Sequence, residues 1–201
     1  NLGLEQNINR FFSLERFVRS IDAGIFAIDL QWFVHIASAL RLAEVCKKHH
    51  PNSLVVLGGM AATWFHDQIL KGYPCVDVVI RGEAELSISQ LVNAHAKNKE
   101  LGEVNGITYR QGKEVKQNPI GEIPSNLDDV ETTHLELLDK YEKYIHTDVY
   151  KCGGGRRGKT FWLPIIRGCP HDCAHCGGGH HAYRLLTGRD DTIVRAPRKV
   201  A

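Results

Sequence analysis

Short apolar runs alternate with longer segments of helical periodicity between residues 23 and 98, and this alternation constrains the fold of the chain most. The apolar runs predict strands over residues 23–30, 54–57 and 76–80. The segments that follow them predict helices over residues 34–49, 61–71 and 84–98, after an earlier helix over 14–21 with Ser13 as its N-cap. Apolar strands separated by helices are typical of a parallel sheet that is buried on both faces. The sequence therefore predicts an α/β fold with a doubly wound parallel sheet.

Glycine and polar residues follow each predicted strand, at residues 29–32, 58–60 and 81–83. In such sheets the ligand crevice lies outside the carboxyl ends of the strands, where these residues would meet. The Gly58-Gly59 pair either lets a ligand approach the backbone closely or only turns the strand into the next helix, and both interpretations stay open. We expect Trp32 and Trp64 to be packing residues.

Three cysteines lie in one short run, Cys169, Cys173 and Cys176, directly after the apolar residues 161–166. Thiolate is the usual protein ligand of iron–sulfur clusters, so three thiolates from one loop can hold three irons of a cubane. The fourth iron then lacks a protein ligand, and an open coordination position is where a metal site does chemistry. The spacing predicts a 4Fe–4S cluster with these three cysteines as metal ligands.

A closed zinc site is the alternative interpretation of the same cysteines, because three thiolates and one imidazole are a common structural zinc site. The imidazoles close in sequence belong to His171, His175, His180 and His181. A disulfide role is not expected, since the odd triple is not part of an evenly spaced cysteine framework. Cys46 and Cys75 are predicted to be buried apolar residues.

The composition, with 43% hydrophobic and 24% charged residues, is that of a globular protein, and no apolar run is long enough to span a bilayer. We expect a cytoplasmic protein without a membrane partner. The formal net charge is +2, but positive residues concentrate in the last quarter of the chain. We expect the arginines there, among them Arg167, Arg189 and Arg195, to be solvated around an anionic cofactor site. Nucleic acid is not an expected partner.

The pattern changes after residue 98. Residues 105–116 predict a β-hairpin, residues 135–144 a short helix, and the glycines at 153–155 a flexible joint. Residues 160–166 predict a strand that would be the first of an α/β barrel, with the cysteine loop at its carboxyl end and a helix over 182–186. We therefore divide the chain into a domain over 1–98, a hairpin and linker over 99–158, and the start of another domain over 159–201.

The CxxxCxxC run at the end of a predicted strand resembles the signature of the radical S-adenosylmethionine (SAM) enzymes. The resemblance implies that the free iron binds the amino and carboxylate groups of SAM, and that one electron from the reduced cluster cleaves it to methionine and a 5′-deoxyadenosyl radical. It also implies an electron donor such as flavodoxin or ferredoxin. By position, His175 would flank the adenine, where the family commonly has an aromatic residue, and Gly177 and Gly178 would let the backbone pass close to the cluster and the cofactor.

The segment strand–VVLGG–helix–VDVVIRGEAE, lying before the cysteines, resembles the Rossmann-type cobalamin-binding domain of the cobalamin-dependent radical SAM enzymes. The residues that would line the face meeting the corrin and its nucleotide tail are Leu30, Gly58, Gly59, Gly82 and Glu83. The Asp-x-His-x-x-Gly motif that supplies an axial histidine in many cobalamin proteins is absent from the sequence. Glu83 and Glu85 are equally consistent with first-turn residues that favour the helix dipole.

The resemblance implies part of a radical SAM enzyme, truncated at both ends and associated with cobalamin, whose substrate it does not specify. The alternative from another class is a non-catalytic cobalamin-binding or sensor module with a structural Cys3His zinc site. A third, weaker interpretation is an RNA-modifying enzyme, for which the expected upstream cluster cysteines and terminal RNA-binding domain are not evident in the sequence.

Overall fold

The structure is a computed structural model that describes residues 13–131 and 163–200. The predicted helix over 135–144 and the glycine joint at 153–155 lie outside the described residues, as does the start of the strand predicted over 160–166.

A five-stranded sheet, in the order β1-β2-β3-β4-β5, forms the centre of the structure. Its strands are β1 (Ile25–Asp29), β2 (Leu54–Gly58), β3 (Val78–Ile80), β4 (Ile107–Gln111) and β5 (Glu114–Gln117). The first three are parallel, with Ala27 opposite Val56 and Val56 opposite Val78. The predicted hairpin is confirmed, and its strands extend the same sheet because β4 pairs antiparallel with β3. The sheet predicted to be parallel is thus parallel between β1, β2 and β3, and antiparallel where the hairpin strands β4 and β5 extend it.

The helices follow the predicted pattern closely. They are α1 (Leu14–Arg19), α2 (Ile36–His49), α3 (Met60–Trp64), α4 (His66–Gly72), α5 (Glu85–Ala96) and α6 (His180–Thr187). Ser13 caps α1 as predicted, since its Oγ accepts a hydrogen bond of 3.3 Å from the Arg16 N–H. The single helix predicted over 61–71 is broken at Phe65, whose φ of −102° and ψ of 19° leave the helical region.

Both faces of the sheet are covered, which confirms the doubly wound α/β prediction. Val55 and Leu57 point to one face and pack with α2, α3 and α4, whereas Val56 points to the other face and packs with α5. Successive side chains of a strand alternate between faces, so an uninterrupted apolar run is needed to fill both cores. Leu40 of α2 and Leu91 of α5 are buried on their respective faces, and each such side chain contributes roughly 1.5–3 kcal/mol.

Two turns meet at the carboxyl edge of the sheet, and Gly59 makes their approach possible. The N–H of Leu30 donates to the Gly58 carbonyl at 2.7 Å, and the Ala62 N–H donates to the Leu30 carbonyl at 3.2 Å. Gly59 has a φ of +105°, and a Cβ added there would lie 2.8 Å from the Leu30 carbonyl oxygen. The glycine therefore brings the two loops together.

Gly59→Ala is expected to lower the free energy of unfolding by about 2 kcal/mol or more, because it adds both backbone strain and a steric overlap. Gly58→Ala is the matched control, since a Cβ at Gly58 meets no heavy atom within 4 Å. Urea unfolding of both variants measures the difference. Equal stability of the two variants would contradict this role of Gly59.

The C-terminal segment contains β6 (Ile166–Arg167), the cysteine loop, α6 and β7 (Ile193–Val194). The helix predicted over 182–186 is confirmed within α6. The strand predicted to end at residue 166 is short among the described residues, where β6 pairs antiparallel with β7. That it is the first strand of an α/β barrel stays a prediction. Its end has a local cause: Gly168 has a φ of +88° and packs against the Asp191 carbonyl, so the chain turns away there.

Within the described parts of the chain, no helix combines the length and the apolar character that crossing a membrane requires.

Candidate functional site

The cysteine loop lies between β6 and α6 and is held by its own backbone. The Cys176 N–H donates to the Cys173 carbonyl at 3.0 Å, and the His180 N–H donates to the His171 carbonyl at 2.9 Å. The His181 N–H also donates to the Asp172 carboxylate at 3.3 Å, at the start of α6. These bonds close residues 171–180, with Cys173 and Cys176 among them, into one compact turn, and Cys169 lies two residues before it on the same loop.

The three thiols are free to bind a metal, but their side chains do not converge on one point. Cys169, Cys173 and Cys176 are free of disulfides, the first half-buried and the other two exposed. The Cys169 thiol donates weakly to the His171 carbonyl, at 3.6 Å. Across residues 13–131 and 163–200, no three His, Cys, Asp or Glu side chains converge into a metal site. Both the cluster and the zinc alternative therefore stay predictions, and either requires the thiols to turn toward one point.

The cysteines of the loop are better suited to bind a cluster as thiolates than the other described cysteines are. A Cβ added at Gly177 or Gly178 meets no heavy atom within 4 Å, so one side of the loop is open to a bulky group. The other described cysteines differ: burial raises the pKa of the Cys46 thiol and, as the main cause, that of Cys75. These thiols keep their protons, and the prediction that they are buried is confirmed for Cys46 and partly for Cys75, which is half-buried.

A cavity of about 800 Å³ lies between the carboxyl edge of the sheet and the cysteine loop. On the sheet side it is lined by Gln31 and by side chains that are aromatic or apolar, chiefly Trp32, Phe33, Met60, Trp64 and Phe65. On the loop side it is lined by His175, Cys176, Gly177 and Gly178, and by the α6 residues His181 and Leu185. One cavity thus borders the crevice predicted from the sheet topology and the loop that carries the cysteines.

The prediction that Trp32 and Trp64 are packing residues is wrong. Their side chains are 62% and 61% exposed, and both line the cavity. Trp32 follows β1 and Trp64 ends α3, and both side chains are left largely uncovered by the described parts of the chain. Since large contiguous apolar patches on a protein surface usually mark a binding site, these two residues extend the candidate site.

The five residues assigned to the cofactor face of the sheet lie beside the cavity without lining it. Leu30 is fully buried, and Gly58 and Gly59 join its turn to α3. Gly82 has a φ of +76°, and a Cβ there would lie 3.2 Å from the Cα of Thr187 at the end of α6. Their sequence neighbours Gln31 and Met60 do line the cavity, with the Met60 N–H donating to the Gln31 amide oxygen at 3.3 Å. The assignment of the five residues stays a prediction.

Glu83, the fifth of these residues, is engaged by two arginines of the C-terminal segment. Its side chain is 4% exposed, and its carboxylate accepts from Arg189 at 2.5 Å and 3.0 Å and from Arg167 at 2.9 Å. Arg167 also contacts Glu85 at 2.7 Å. Burial and the Glu83 charge raise the pKa of the adjacent Tyr183 hydroxyl. We call this group, Glu83 with Arg189 and Arg167, the Glu83 clamp.

The expectation that the C-terminal arginines are solvated is therefore wrong for three of them. Arg189 is 2% exposed and Arg195 is 7% exposed. Arg195 donates to the Val130 carbonyl at 2.9 Å and to the Pro164 carbonyl at 3.3 Å, and Arg167 lies in the Glu83 clamp. These arginines hold the cysteine segment against the sheet domain. Sequence reasoning missed them because Glu83 and Arg189 are 106 residues apart, and no local spacing signals such a pair.

Sequence comparison finds relatives among enzymes, while no protein-family profile matches the chain. An uncharacterised methyltransferase of Pyrococcus horikoshii is 28% identical over 193 residues, or 92% of this chain and 39% of that protein. An anaerobic magnesium-protoporphyrin IX monomethyl ester cyclase of Synechocystis is 30% identical over 68% of this chain and 26% of its own length. The cobalamin-dependent radical SAM methyltransferase TokK of Streptomyces tokunonensis is 27% identical over 76% of this chain and 22% of its own length.

Two solved structures share the fold. The cobalamin-dependent SAM radical enzyme OxsB, solved with aqua-cobalamin and SAM bound, has a TM-score of 0.66 at 19% identity, over 92% of this chain and 23% of that one. The radical SAM methyltransferase TsrM of Kitasatospora setae was solved with cobalamin and a 4Fe–4S cluster. It has a TM-score of 0.66 at 10% identity, over 93% of this chain and 36% of that one. The chain thus spans less than two fifths of these sequence and structure relatives.

Proposed function

Because the chain is related over most of its length to cobalamin-dependent radical SAM methyltransferases and related enzymes, we propose that it forms the cofactor-binding part of such an enzyme. In this proposal Cys169, Cys173 and Cys176 hold a 4Fe–4S cluster, and SAM and cobalamin bind next to it. When bound, the cluster supplies the electron that cleaves SAM reductively, and cobalamin supplies a carrier for a methyl group. The substrate and the reaction outcome of the whole enzyme are left open.

The observation that supports the proposal most is the shared cavity. Cys176, Gly177 and Gly178 line it from the loop, while Trp32 and Met60 line it from the sheet. A cofactor held by the loop and one held by the sheet would therefore be neighbours in one cavity. Placing two reacting groups side by side converts a bimolecular step into an effectively unimolecular one. The protein's own contribution is to hold and orient both groups and to keep water away.

The roles of individual residues follow from their positions. The three thiolates bind the irons, and the open sides of Gly177 and Gly178 leave room for the cluster and for SAM. His175 lines the cavity, where its ring can stack against an adenine. Reduction of the cluster requires an electron donor such as flavodoxin or ferredoxin. The exposure of Cys173 and Cys176 leaves the loop accessible to such a protein.

Anaerobic reconstitution of the chain with iron and sulfide tests the cluster directly. We expect about four irons and about four sulfides per chain, with the visible absorption of a cubane cluster. A colourless product that binds one zinc instead would refute the proposal and favour the non-catalytic module with a structural zinc site.

Trp64→Ala is expected to weaken cobalamin binding roughly tenfold or more. Removal of an indole that packs on a ligand removes apolar contact worth more than about 1.4 kcal/mol, the equivalent of a factor of ten in affinity. Tyr73→Ala is the control, since Tyr73 is 40% exposed and does not line the cavity. Titration of both variants with cobalamin measures the change. An unchanged affinity of Trp64→Ala would exclude the Trp64 side of the cavity as the cobalamin site.

A further inference from the structure

A second cavity, of about 400 Å³, shares Trp64, Leu185 and Leu186 with the first one. The rest of its lining is mostly polar: Thr63, His66, Gln68, Arg81 and Gln117, together with Ile120. No aspartate or glutamate lines it. The cavity therefore combines one positive charge with several neutral hydrogen-bonding groups and lacks a negative charge of its own.

Arg81 is the charged residue of this second cavity, and it is 7% exposed. Its Nη2 donates to the Ile107 carbonyl at 3.3 Å and to the Asn118 carbonyl. Its Nε is buried and has no hydrogen-bond partner, and none of the ion pairs of residues 13–131 and 163–200 includes Arg81. Two carbonyl groups satisfy part of the guanidinium but do not neutralise it.

A buried charge without a counter-ion is costly, since the effective desolvation penalty is several kcal/mol per ion. Burial accordingly lowers the pKa of Arg81. The contrast with Arg189 is informative, because that arginine is also buried but meets the Glu83 carboxylate at 2.5 Å. Arg195 is also held by carbonyls, but its Nε is hydrogen-bonded. No negative group of the described chain thus balances the charge of Arg81, which lines an open cavity.

The neutral residues of the second cavity can supply hydrogen bonds to such a partner. His66 Nδ1 lies 3.1 Å from the Thr108 hydroxyl, and within the described chain its Nε2 has no protein partner. The Thr63 hydroxyl oxygen accepts from the Gly82 N–H at 3.0 Å, which leaves its own hydrogen free to donate. The exposed amides of Gln68 and Gln117 lie at the mouth, and each carries two N–H donors.

We propose that the second cavity binds a phosphate-class anionic group, with Arg81 as its charge partner and His66, Gln68 and Gln117 as further hydrogen-bonding residues. Phosphate fits this set because its oxygens accept several charge-assisted hydrogen bonds at once, and Arg81 Nη1 donates to no group of the described chain, whereas Nη2 is bound to two carbonyls. The anion is either free phosphate or the phosphate of a larger molecule. The apolar wall formed by Trp64, Leu185 and Leu186 favours the second source.

Isothermal titration of the full chain with inorganic phosphate and with phenyl phosphate tests the proposal. We expect saturable binding at one site, and tighter binding of phenyl phosphate if the natural group belongs to a larger ligand. Equal affinity for the two probes would assign the site to free phosphate. Since the titration is done without cluster or cobalamin, its result does not depend on the proposed function.

Two variants of equal charge make the test specific. Gln117→Glu places a carboxylate at the mouth of the cavity, where it competes for Arg81, and is expected to weaken phosphate binding at least tenfold. Gln111→Glu adds the same charge at an exposed position on β4, outside the lining, and should bind as the parent does. Both substitutions are on exposed residues, so folding is retained, whereas Arg81→Gln would also remove bonds that hold β3 to its neighbours. Equal phosphate affinity of Gln117→Glu and Gln111→Glu, or no saturable binding by the parent chain, would overturn the proposal.

Discussion

Replacing any one of Cys169, Cys173 and Cys176 by alanine is expected to lower the iron bound after reconstitution at least tenfold. Each thiolate supplies one of three protein ligands, and a loop with two thiolates leaves two irons of a cubane without protein ligands. The fold should survive, because Cys173 and Cys176 are exposed and the loop is closed by backbone hydrogen bonds. Iron and sulfide analysis, with circular dichroism as the check on folding, measures both effects.

Cys75→Ala is the matched control for these variants. Its thiol is half-buried next to the sheet and outside the cysteine loop, so the variant should assemble the cluster as the parent does. A loop variant that retains the full iron content would show that the missing ligand comes from elsewhere, and would contradict the assignment of the three cysteines.

Glu83→Gln is expected to lower the free energy of unfolding by about 3–5 kcal/mol. The substitution keeps the size of the side chain but leaves Arg189, whose side chain is 1% exposed, with only the exposed carboxylate of Asp191 as a charge partner. Because water screens that remaining pair, the buried charge of Arg189 is poorly compensated, which costs more than the loss of a hydrogen bond at the surface. Urea unfolding measures the loss of stability. Limited proteolysis of residues 163–200 shows whether the cysteine segment detaches from the sheet.

Glu85→Gln provides the comparison for Glu83→Gln, since Glu85 contacts Arg167 but is 30% exposed. Pairs that water reaches contribute about 1 kcal/mol or less, so this variant should lie close to the parent chain. If Glu83→Gln were as mild as Glu85→Gln, the Glu83 clamp would not be what fixes the cysteine segment to the sheet.

The Glu83 clamp gives the site its geometry. Glu83 follows β3 at the edge of the sheet, whereas Arg167 and Arg189 flank the cysteine loop on both sides in sequence. Gly82 adds close packing against the end of α6. The loop is therefore held over the sheet by the ion pairs of Glu83 with Arg167 and Arg189 and by a tight backbone contact. The clamp accounts for a cavity that is lined from both sides.

The sequence predicts well those features that local patterns determine. Apolar runs identified β1, β2 and β3, Ser13 marked the start of α1, and the turn chemistry around Gly112 identified the hairpin. The cysteine spacing singled out the loop that borders the cavity. In each case the signal lies within about one turn or one strand of the feature it predicts.

Features that depend on distant contacts could not be predicted in this way. Trp32 and Trp64 are large apolar residues of the kind that packs in cores, but in the tertiary structure both are exposed on the cavity wall. The partners of Glu83 lie 84 and 106 residues away in the chain. The pairing of β6 with β7 depends on the turn at Gly168. Each of these is set by tertiary packing, which overrides local preference.

Electron paramagnetic resonance of the reconstituted and reduced chain, recorded with and without SAM, tests the central claim most directly. We predict the signal of a reduced 4Fe–4S cluster whose shape changes when SAM is added, because one iron has no protein ligand and is free to bind it. A cluster signal that SAM leaves unchanged, or a chain that binds zinc and gives no cluster signal, would contradict the claim.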